Sequence, residues 1–242
     1  MSNNYFQFKQ FTVQQEYCAM KVTTDACLFG AWCASLIQNS TFKIQHCLDI
    51  GTGTGLLSLM IAQKNNEIII DAIEIDGQAA NQSMSNFQVS SWKKILNVHH
   101  VSIQNFNQTN QLYDFIISNP PFFDNDLKSI DDKRNLALHS SELSLEELLQ
   151  SIKINLKDDG KFAVLLPYHR TEYFEQLCLP ENFFIKEKIF VKQTPHHSYF
   201  RTMLLFSKQS IATKQSEIII KDKWNNYSNE FKKLMKDYYL HF

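Results

Sequence analysis

Cys47-Leu-Asp-Ile-Gly-Thr-Gly-Thr-Gly55 is the stretch that decides the fold class. The apolar residues at its start read as a short buried strand, and Leu56-Leu-Ser-Leu-Met-Ile-Ala62 behind it has helical spacing. A strand, a glycine-rich turn and a helix start in direct succession open one unit of a doubly wound, mostly parallel α/β sheet. Glycines let the backbone approach a ligand closely, and a helix N-terminus favours negative charge. The dinucleotide fingerprint G-x-G-x-x-G would need a glycine at 56, where the chain has Leu56. The pattern is instead G-x-G-x-G, on Gly51, Gly53 and Gly55, with Asp49 at the end of the strand.

A phosphate site would not want that carboxylate. A cofactor carrying an ammonium and a sulfonium group tolerates it, and S-adenosylmethionine has both. The following strand, Ile68-Ile-Ile-Asp-Ala-Ile-Glu-Ile75, adds a second acid, Glu74, with Asp76 behind it. An acidic residue about 20 positions past a glycine turn is placed to accept hydrogen bonds from ribose hydroxyls. Alone, such a Glu is an ordinary solvated carboxylate; after G-x-G-x-G at this spacing it reads as a ribose ligand.

Asn119-Pro120-Pro121-Phe122 follows the apolar run Tyr113-Asp-Phe-Ile-Ile-Ser118. Neither proline donates an N–H, and each restricts the residue before it, so the strand stops abruptly there. Ligands of open α/β sheets bind at this carboxyl edge. The Asn119 side-chain oxygen and the Pro120 carbonyl, held rigidly, form an acceptor pair suited to a planar –NH₂ group. A plain strand-ending turn is the alternative reading of the tetrapeptide by itself.

Together with Phe6-Gln-Phe-Lys-Gln-Phe-Thr-Val-Gln14, Met20-Lys-Val-Thr-Thr-Asp-Ala-Cys-Leu-Phe-Gly-Ala-Trp32 and Phe231-Lys-Lys-Leu-Met-Lys-Asp-Tyr-Tyr-Leu-His-Phe242, these motifs resemble the bacterial tRNA1(Val) adenine-37 N6-methyltransferase family. The likeness runs nearly end to end, and Met-Lys-Val-x-Thr-Asp-Ala is its more discriminating part. It implies a class I methyltransferase (Rossmann-like) α/β fold: a seven-stranded, mostly parallel sheet with an antiparallel edge strand and helices on both faces. It implies S-adenosylmethionine as cofactor and N6 of adenine-37 in a tRNA anticodon loop as target. Asn119, Pro120 and Phe122 would be catalytic, Phe122 by stacking on the base. Asp49, Gly51, Gly53, Gly55, Glu74, Ser102 and Asp25 would hold the cofactor. Pro121, Phe123, Lys9, Lys21 and Arg201 would meet the substrate. Asp25 also reads as a simple helix-start residue. After Asn97-Val-His-His-Val-Ser-Ile103 such enzymes place an Asp on the cofactor's adenine amino group. Here the matching position is Ser102, an uncharged acceptor, so a weaker grip is expected there.

Asn-Pro-Pro-aromatic also occurs in protein glutamine N5-methyltransferases and in rRNA or DNA adenine N6-methyltransferases. The first usually carry a separate N-terminal helical domain, for which an arm of about 22 residues leaves no room. The others are chemically indistinguishable at this site. A non-catalytic RNA-binding module is the reading from another class, and the intact glycine turn with Asn119 and Phe122 speaks against it.

The 242 residues suit a single domain: an arm to residue 22, a catalytic core over 23–207 and an extension over 208–242. Helices are expected near 24–37 (capped by Thr23 or Thr24), 55–64, 77–90, 144–155 and 223–239. Strands are expected near 45–50, 68–74, 96–102, 112–118 and 161–167, with an antiparallel edge pair at 183–191 and 200–206. The polar segment 124–141 reads as a mobile loop over the site. The N-terminus is polar and no 18-residue apolar span exists, so a cytoplasmic protein without a membrane anchor is expected. Cysteines 18, 27, 33, 47 and 178 form no C-x-x-C pair and read as buried hydrophobes; no metal is indicated. Net charge is −1, yet it divides unevenly: 11 Lys+Arg against 17 Asp+Glu through Gly160, and 13 against 8 from Lys161. Lys186, Lys188, Lys192, His196, His197 and Arg201, with Lys9 and Lys21, could track a phosphate backbone. Nothing in the sequence sets the oligomeric state, and a monomer is compatible with it.

Overall fold

The computed structural model describes residues 3–41, 43–106, 111–121 and 143–242. A short antiparallel hairpin, β1 (Tyr5–Gln7) and β2 (Thr12–Gln14), precedes helix α1 (Thr24–Gln38). Strand and helix then alternate: β3 (His46–Ile50), α2 (Leu56–Lys64), β4 (Ile69–Glu74), α3 (Gly77–Val89), β5 (Leu96–His100), the one-turn α4 (Ile103–Phe106) and β6 (Tyr113–Ser118). Helix α5 (Leu145–Asn155) runs straight into β7 (Leu156–Pro167). Helix α6 (Thr171–Cys178), strands β8 (Phe184–Lys192), β9 (Tyr199–Ser207) and β10 (Lys214–Ile219), and helix α7 (Asn229–Met235) complete the chain.

The strand order is β10-β8-β9-β7-β6-β3-β4-β5. All neighbours are parallel except β9, which runs antiparallel to both β7 and β8. From β3 the chain winds outward to β4 and β5, then returns to lay β6 on the other side of β3. That reversal leaves a crevice at the carboxyl ends of β3 and β6, where open α/β sheets take their ligands.

Strand periodicity divides the core cleanly into two. Cys47, Phe115, Ala163 and Met203 face a layer of α1, α2 and α7, while their neighbours Leu48, Ile116, Phe162 and Leu204 face α5 and α6. With both faces covered, these strands read as unbroken apolar runs rather than alternating ones. Helix α5 buries Leu145, Leu148, Leu149 and Ile152, spaced for one helical face. Its start is a reciprocal capping box: Glu147 N–H donates to Ser144 Oγ (3.1 Å) and Ser144 N–H to Glu147 Oε2 (2.9 Å).

The abundant phenylalanines join the two ends of the chain. Phe6, Phe8 and Phe11 of the hairpin region pack with Trp92 and Tyr239, and Tyr239 packs in turn with Tyr227, Phe231 and Phe242. Tyr238 anchors the tail, its hydroxyl donating to the Met60 carbonyl at 2.8 Å. All five cysteines are free and buried, as expected of small hydrophobes. Among the described residues no helix is long and apolar enough to cross a membrane.

The structure differs from expectation in three ways. The sheet has eight strands rather than seven, because Lys214-Gln-Ser-Glu-Ile-Ile adds β10 in parallel to β8. The antiparallel strand is not at the edge: β9 lies between β7 and β8, and the edge is β10. The terminal helix spans only Asn229–Met235, since Asp222 Oδ1 accepts from Trp224 N–H and Asn226 N–H and turns the chain before it. Segment 124–141 lies outside the described residues.

Asn86 of α3, buried, ties the hairpin to the rest. Its amide donates to the Gln14 and Thr54 carbonyls, both at 2.9 Å, and its carbonyl accepts from Gln14 N–H at 2.9 Å. We expect Asn86→Ala to lower the unfolding free energy by about 2–4 kcal/mol, through orphaned buried groups. Urea unfolding reads the loss, and amide exchange at Gln14 should quicken more than at Ile116.

Candidate active site

The turn between β3 and α2 needs left-handed backbone at three places. Gly51, Gly53 and Gly55 have φ of +74°, +55° and +81°, a region that side-chain-bearing residues avoid. Gly51 N–H (2.9 Å) and Thr52 N–H (3.0 Å) both donate to the Ile73 carbonyl of β4. Gly53 N–H donates to Glu74 Oε2 at 2.8 Å. A Cβ on Gly55 would meet the Phe87 ring at 2.5 Å, so this glycine serves helix packing. At Gly51 and Gly53 a Cβ would meet nothing within 4 Å. These two glycines border open space, a cradle that any side chain would fill.

Asp49 lies beneath the turn, 0% exposed. Its Oδ2 accepts from Thr52 Oγ and Ser58 Oγ, each at 2.7 Å, and Oδ1 has no partner among the described residues. Burial pushes its carboxyl up to about 6, against the pull of the Ser58 and Thr52 hydroxyls. Asp49 therefore shapes the turn from below and does not line the space above it.

That space is a cavity of about 600 Å³, within the roughly 300–1,000 Å³ typical of small-molecule sites. Gly51 and Gly53 form one side, Glu74–Asp76 the next, and Val101–Gln104 the far wall. Glu74 uses one oxygen on Gly53 N–H and the other on Asp76 N–H (3.0 Å), leaving a lone pair on each for a diol. Beyond it, Ile75, Val101 and Ile103 form apolar walls fit for a planar ring. Ser102 sits among them, its hydroxyl accepting from Asn105 N–H at 3.3 Å as α4 begins. The glycine cradle, the diol-ready carboxylate and the apolar slot suit the nucleoside and amino-acid parts of S-adenosylmethionine.

Asn119, Pro120 and Pro121 close the same cavity from β6. Ser118 Oγ donates to the Ile50 carbonyl at 2.9 Å, pinning the end of β6 to the end of β3. Asn119 and Pro120 thus border the same space as the glycine turn. Phe122 and Phe123 lie outside the described residues.

Other expected site residues are placed differently. Lys21 lines the cavity with its ammonium on the Gln15 carbonyl. Asp25, in the first turn of α1 behind the cap Thr23, pairs with Arg201 of β9 (Nε–Oδ2 2.8 Å), and neither lines the cavity. Lys9 donates to the Lys236 carbonyl at 2.6 Å, on the aromatic side where the two chain ends meet. Apart from Lys21, the sequence reading assigned no site role to the segment Cys18–Thr23, which covers the cavity. Gln15 folds this segment over by accepting from Val22 N–H (2.8 Å) and donating to the Asn3 carbonyl (2.9 Å). Leu143 and Glu147, at the start of α5, were also missed.

Fold and cavity together define a class I, S-adenosylmethionine-dependent methyltransferase. The model of the methyltransferase small domain matches residues 33–165. A tRNA1(Val) (adenine(37)-N6)-methyltransferase of Pseudoalteromonas translucida is 40% identical over 235 residues, 97% of this chain and 98% of that one. The enzyme of the same name from Dyadobacter fermentans is 38% identical over 244 residues, 99% of each chain. The chain belongs to the tRNA1(Val) (adenine(37)-N6)-methyltransferase family. Solved structures share the fold at low identity. A predicted O-methyltransferase of Agrobacterium tumefaciens superposes with a TM-score of 0.66 at 12% identity, over 88% of this chain and 96% of that one. A ribosomal protein L11 methylase of Lactobacillus delbrueckii gives 0.52 at 17% identity, over 75% and 78%.

The raised carboxyl of Asp49 makes a signed prediction. The folded protein holds this proton from the ordinary carboxylate range up to about pH 6, so the stability it confers is present at low pH and lost as pH rises through that window. Asp49→Asn removes the titration and keeps an acceptor for both hydroxyls. The unfolding free energy of the variant minus that of the parent should rise between about pH 4 and 6 and flatten above it. A difference that stays level across the window would mean Asp49 is ionised throughout.

Proposed function

We propose that this protein methylates N6 of adenine-37 in the anticodon loop of tRNA1(Val), using S-adenosylmethionine, in the cytoplasm and as a monomer. One observation carries the reading: Asn119, Pro120, the glycine cradle and Glu74 line one cavity. The names of the relatives supply the substrate.

In this reading the cradle of Gly51 and Gly53 receives the cofactor, Glu74 takes its ribose hydroxyls, and Ser102 with the apolar walls meets its adenine. Asp49 and Gly55 act by holding the turn. Asp25, through its pair with Arg201, fixes the first turn of α1 next to the cover formed by Cys18–Thr23. The bound cofactor supplies an electrophilic methyl group on a sulfonium.

The target nitrogen is a poor nucleophile, because its lone pair is delocalised into the purine ring. Asn119 Oδ1 and the Pro120 carbonyl accept its two N–H bonds, which favours a pyramidal nitrogen with the lone pair directed out of the ring plane. Both acceptors bond more strongly as the nitrogen becomes positive, so their contribution is largest in the transition state. They are neutral and take no proton, and the excess proton leaves to water once the N–C bond has formed. Phe122, or Phe123 in its place, stacks on the base, and Pro121 and Lys21 border its approach. An anticodon loop presents its bases single-stranded, so turning one into the cavity is inexpensive.

The test is methyl transfer from labelled S-adenosylmethionine to unmodified bacterial tRNA, with nucleoside mass spectrometry. N6-methyladenosine in a valine-tRNA fraction is expected. Transfer to rRNA, DNA or a release factor, with none to tRNA, would overturn the substrate and keep the site. Asn119→Ala should leave cofactor affinity intact and lower kcat by about 10²–10³-fold. Equal loss of binding and turnover would mean that Asn119 only shapes the end of β6.

A further inference from the structure

Beyond Pro121, the carboxyl edge of the sheet continues across β7, β9, β8 and β10. On this edge three rings meet: Tyr168, Phe190 and Tyr199. Their centroids are 5.8 Å apart for Tyr168–Phe190, 5.3 Å for Tyr168–Tyr199 and 4.9 Å for Phe190–Tyr199. None of the three belongs to either core cluster. Tyr168 is 43% exposed. A folded chain has no packing reason to gather three aromatic rings at a rim and leave one open to water.

Cations border the cluster. Lys192 Nζ lies 4.5 Å from the Tyr199 centroid and Lys188 Nζ 5.2 Å from that of Phe190. Arg170, two residues past Tyr168, lays its guanidinium 5.2 Å from the Tyr173 ring. Its Nε is shielded from solvent and has no hydrogen-bond partner among the described residues. The Tyr173 hydroxyl in turn bonds Glu146 in the first turn of α5, where Glu147 lines the cavity. Arg170 therefore stands between the ring cluster and the rim of the active site.

The eighth strand supports the arrangement. Glu217 of β10 accepts the Tyr199 hydroxyl at 2.7 Å and lies 3.6 Å from Lys192 Nζ. Past β10, Trp224 is 71% exposed on the same edge, with Lys223 Nζ 4.3 Å from its ring.

We propose that Tyr168, backed by Phe190 and Tyr199, is a stacking platform for a base flanking the target adenine in a single-stranded RNA loop, with Arg170 on the phosphate between them. The proposal rests on the substrate reading above and assigns that substrate its second point of contact. Ser118 pairs with Val164 in register, which puts Tyr168 three residues beyond the level of Asn119 on the adjacent strand. At the strand rise that is about 10 Å, within reach of the nucleotide next to the target in an extended single strand. Aromatic rings interleaved with cations are how single strands are held, since every base has a face to stack and every linkage a charge. A rigid duplex would not splay a base onto a ring at this rim.

The experiment uses the full chain and a fluorescent, unmodified anticodon stem-loop RNA, followed by anisotropy and by methyl-transfer kinetics. Tyr168→Ala should weaken RNA binding on the order of tenfold to a hundredfold, while Tyr168→Phe stays within about threefold of the parent. The loss should appear in KM for RNA with kcat little changed, and cofactor affinity by calorimetry should not move. Arg170→Gln should reduce the slope of log affinity against log salt by about 0.7. If the parent methylates the RNA and both Tyr168→Ala and Arg170→Gln bind it as the parent does, the platform is wrong and the substrate reading stands. A parallel loss of cofactor affinity in Tyr168→Ala would make the ring structural and overturn the proposal. If the parent neither binds nor methylates the RNA, the substrate reading fails and the platform falls with it.

Discussion

The Ile73 carbonyl accepts two consecutive N–H groups, those of Gly51 and Thr52, and this shared acceptor sets the site. It locks the turn after β3 onto the end of β4. The next residue of β4 is Glu74, whose carboxylate is then near enough to take Gly53 N–H. Three successive N–H groups are thus consumed by the neighbouring strand, which requires the positive φ values that only glycine adopts easily. Asp49 completes the lock from below through Thr52 and Ser58, the latter already in α2. The glycine turn, Glu74 and the helix start are one hydrogen-bonded unit, and a fault in any of them displaces the rest.

That unit was legible in the sequence because its constraints are local. Strand end and turn occupy one continuous stretch, Cys47–Gly55, and Glu74 follows at a fixed distance, so type and spacing carry the information. Asn119-Pro120-Pro121 was legible for the same reason: two prolines stop a strand wherever they stand. Strand order was harder, since it is decided by pairing across the sheet. The run Tyr199–Ser207 reads as a strand, but nothing in it says that it lies inside β8. Strand β10 was missed because Lys214-Gln-Ser-Glu is exposed on the sheet edge and has no apolar period. The first half of β7 was missed because Lys157-Asp-Asp-Gly160 reads as a turn. Of the cover over the cavity only Lys21 was read as a site residue, for a different reason: the Gln15 side chain holds Cys18–Thr23 there, and such a contact leaves no pattern in the segment it positions.

The eighth strand shows how an addition far from the chemistry can bear on it. By pairing with β8, β10 lengthens the carboxyl edge on the side away from the cofactor cradle. It brings Glu217 under Tyr199 and ends beside the turn that carries Trp224. The cradle side of the edge is walled by acids and apolar residues; the opposite side carries rings and cations.

The distribution of carboxylates explains why the acceptors at Asn119 and Pro120 are neutral. Asp49 is desolvated and titrates high, while Glu74 faces the cavity with both oxygens already anchored. A third carboxylate at position 119 would bind an amine well before reaction, and would also hold a water or a cation in its place. It would stabilise the ground state along with the transition state, which lowers KM without raising kcat. In the proposed reaction an amide oxygen and a prolyl carbonyl bind the resting amine weakly and bond more strongly as positive charge develops on nitrogen. Their directions are fixed before substrate arrives: Asn119 and Pro120 each precede a proline, which restricts both to extended backbone, and Ser118 ties the strand end to Ile50. In the proposed reaction these two acceptors, aimed before substrate arrives, favour the reacting nitrogen over the resting one.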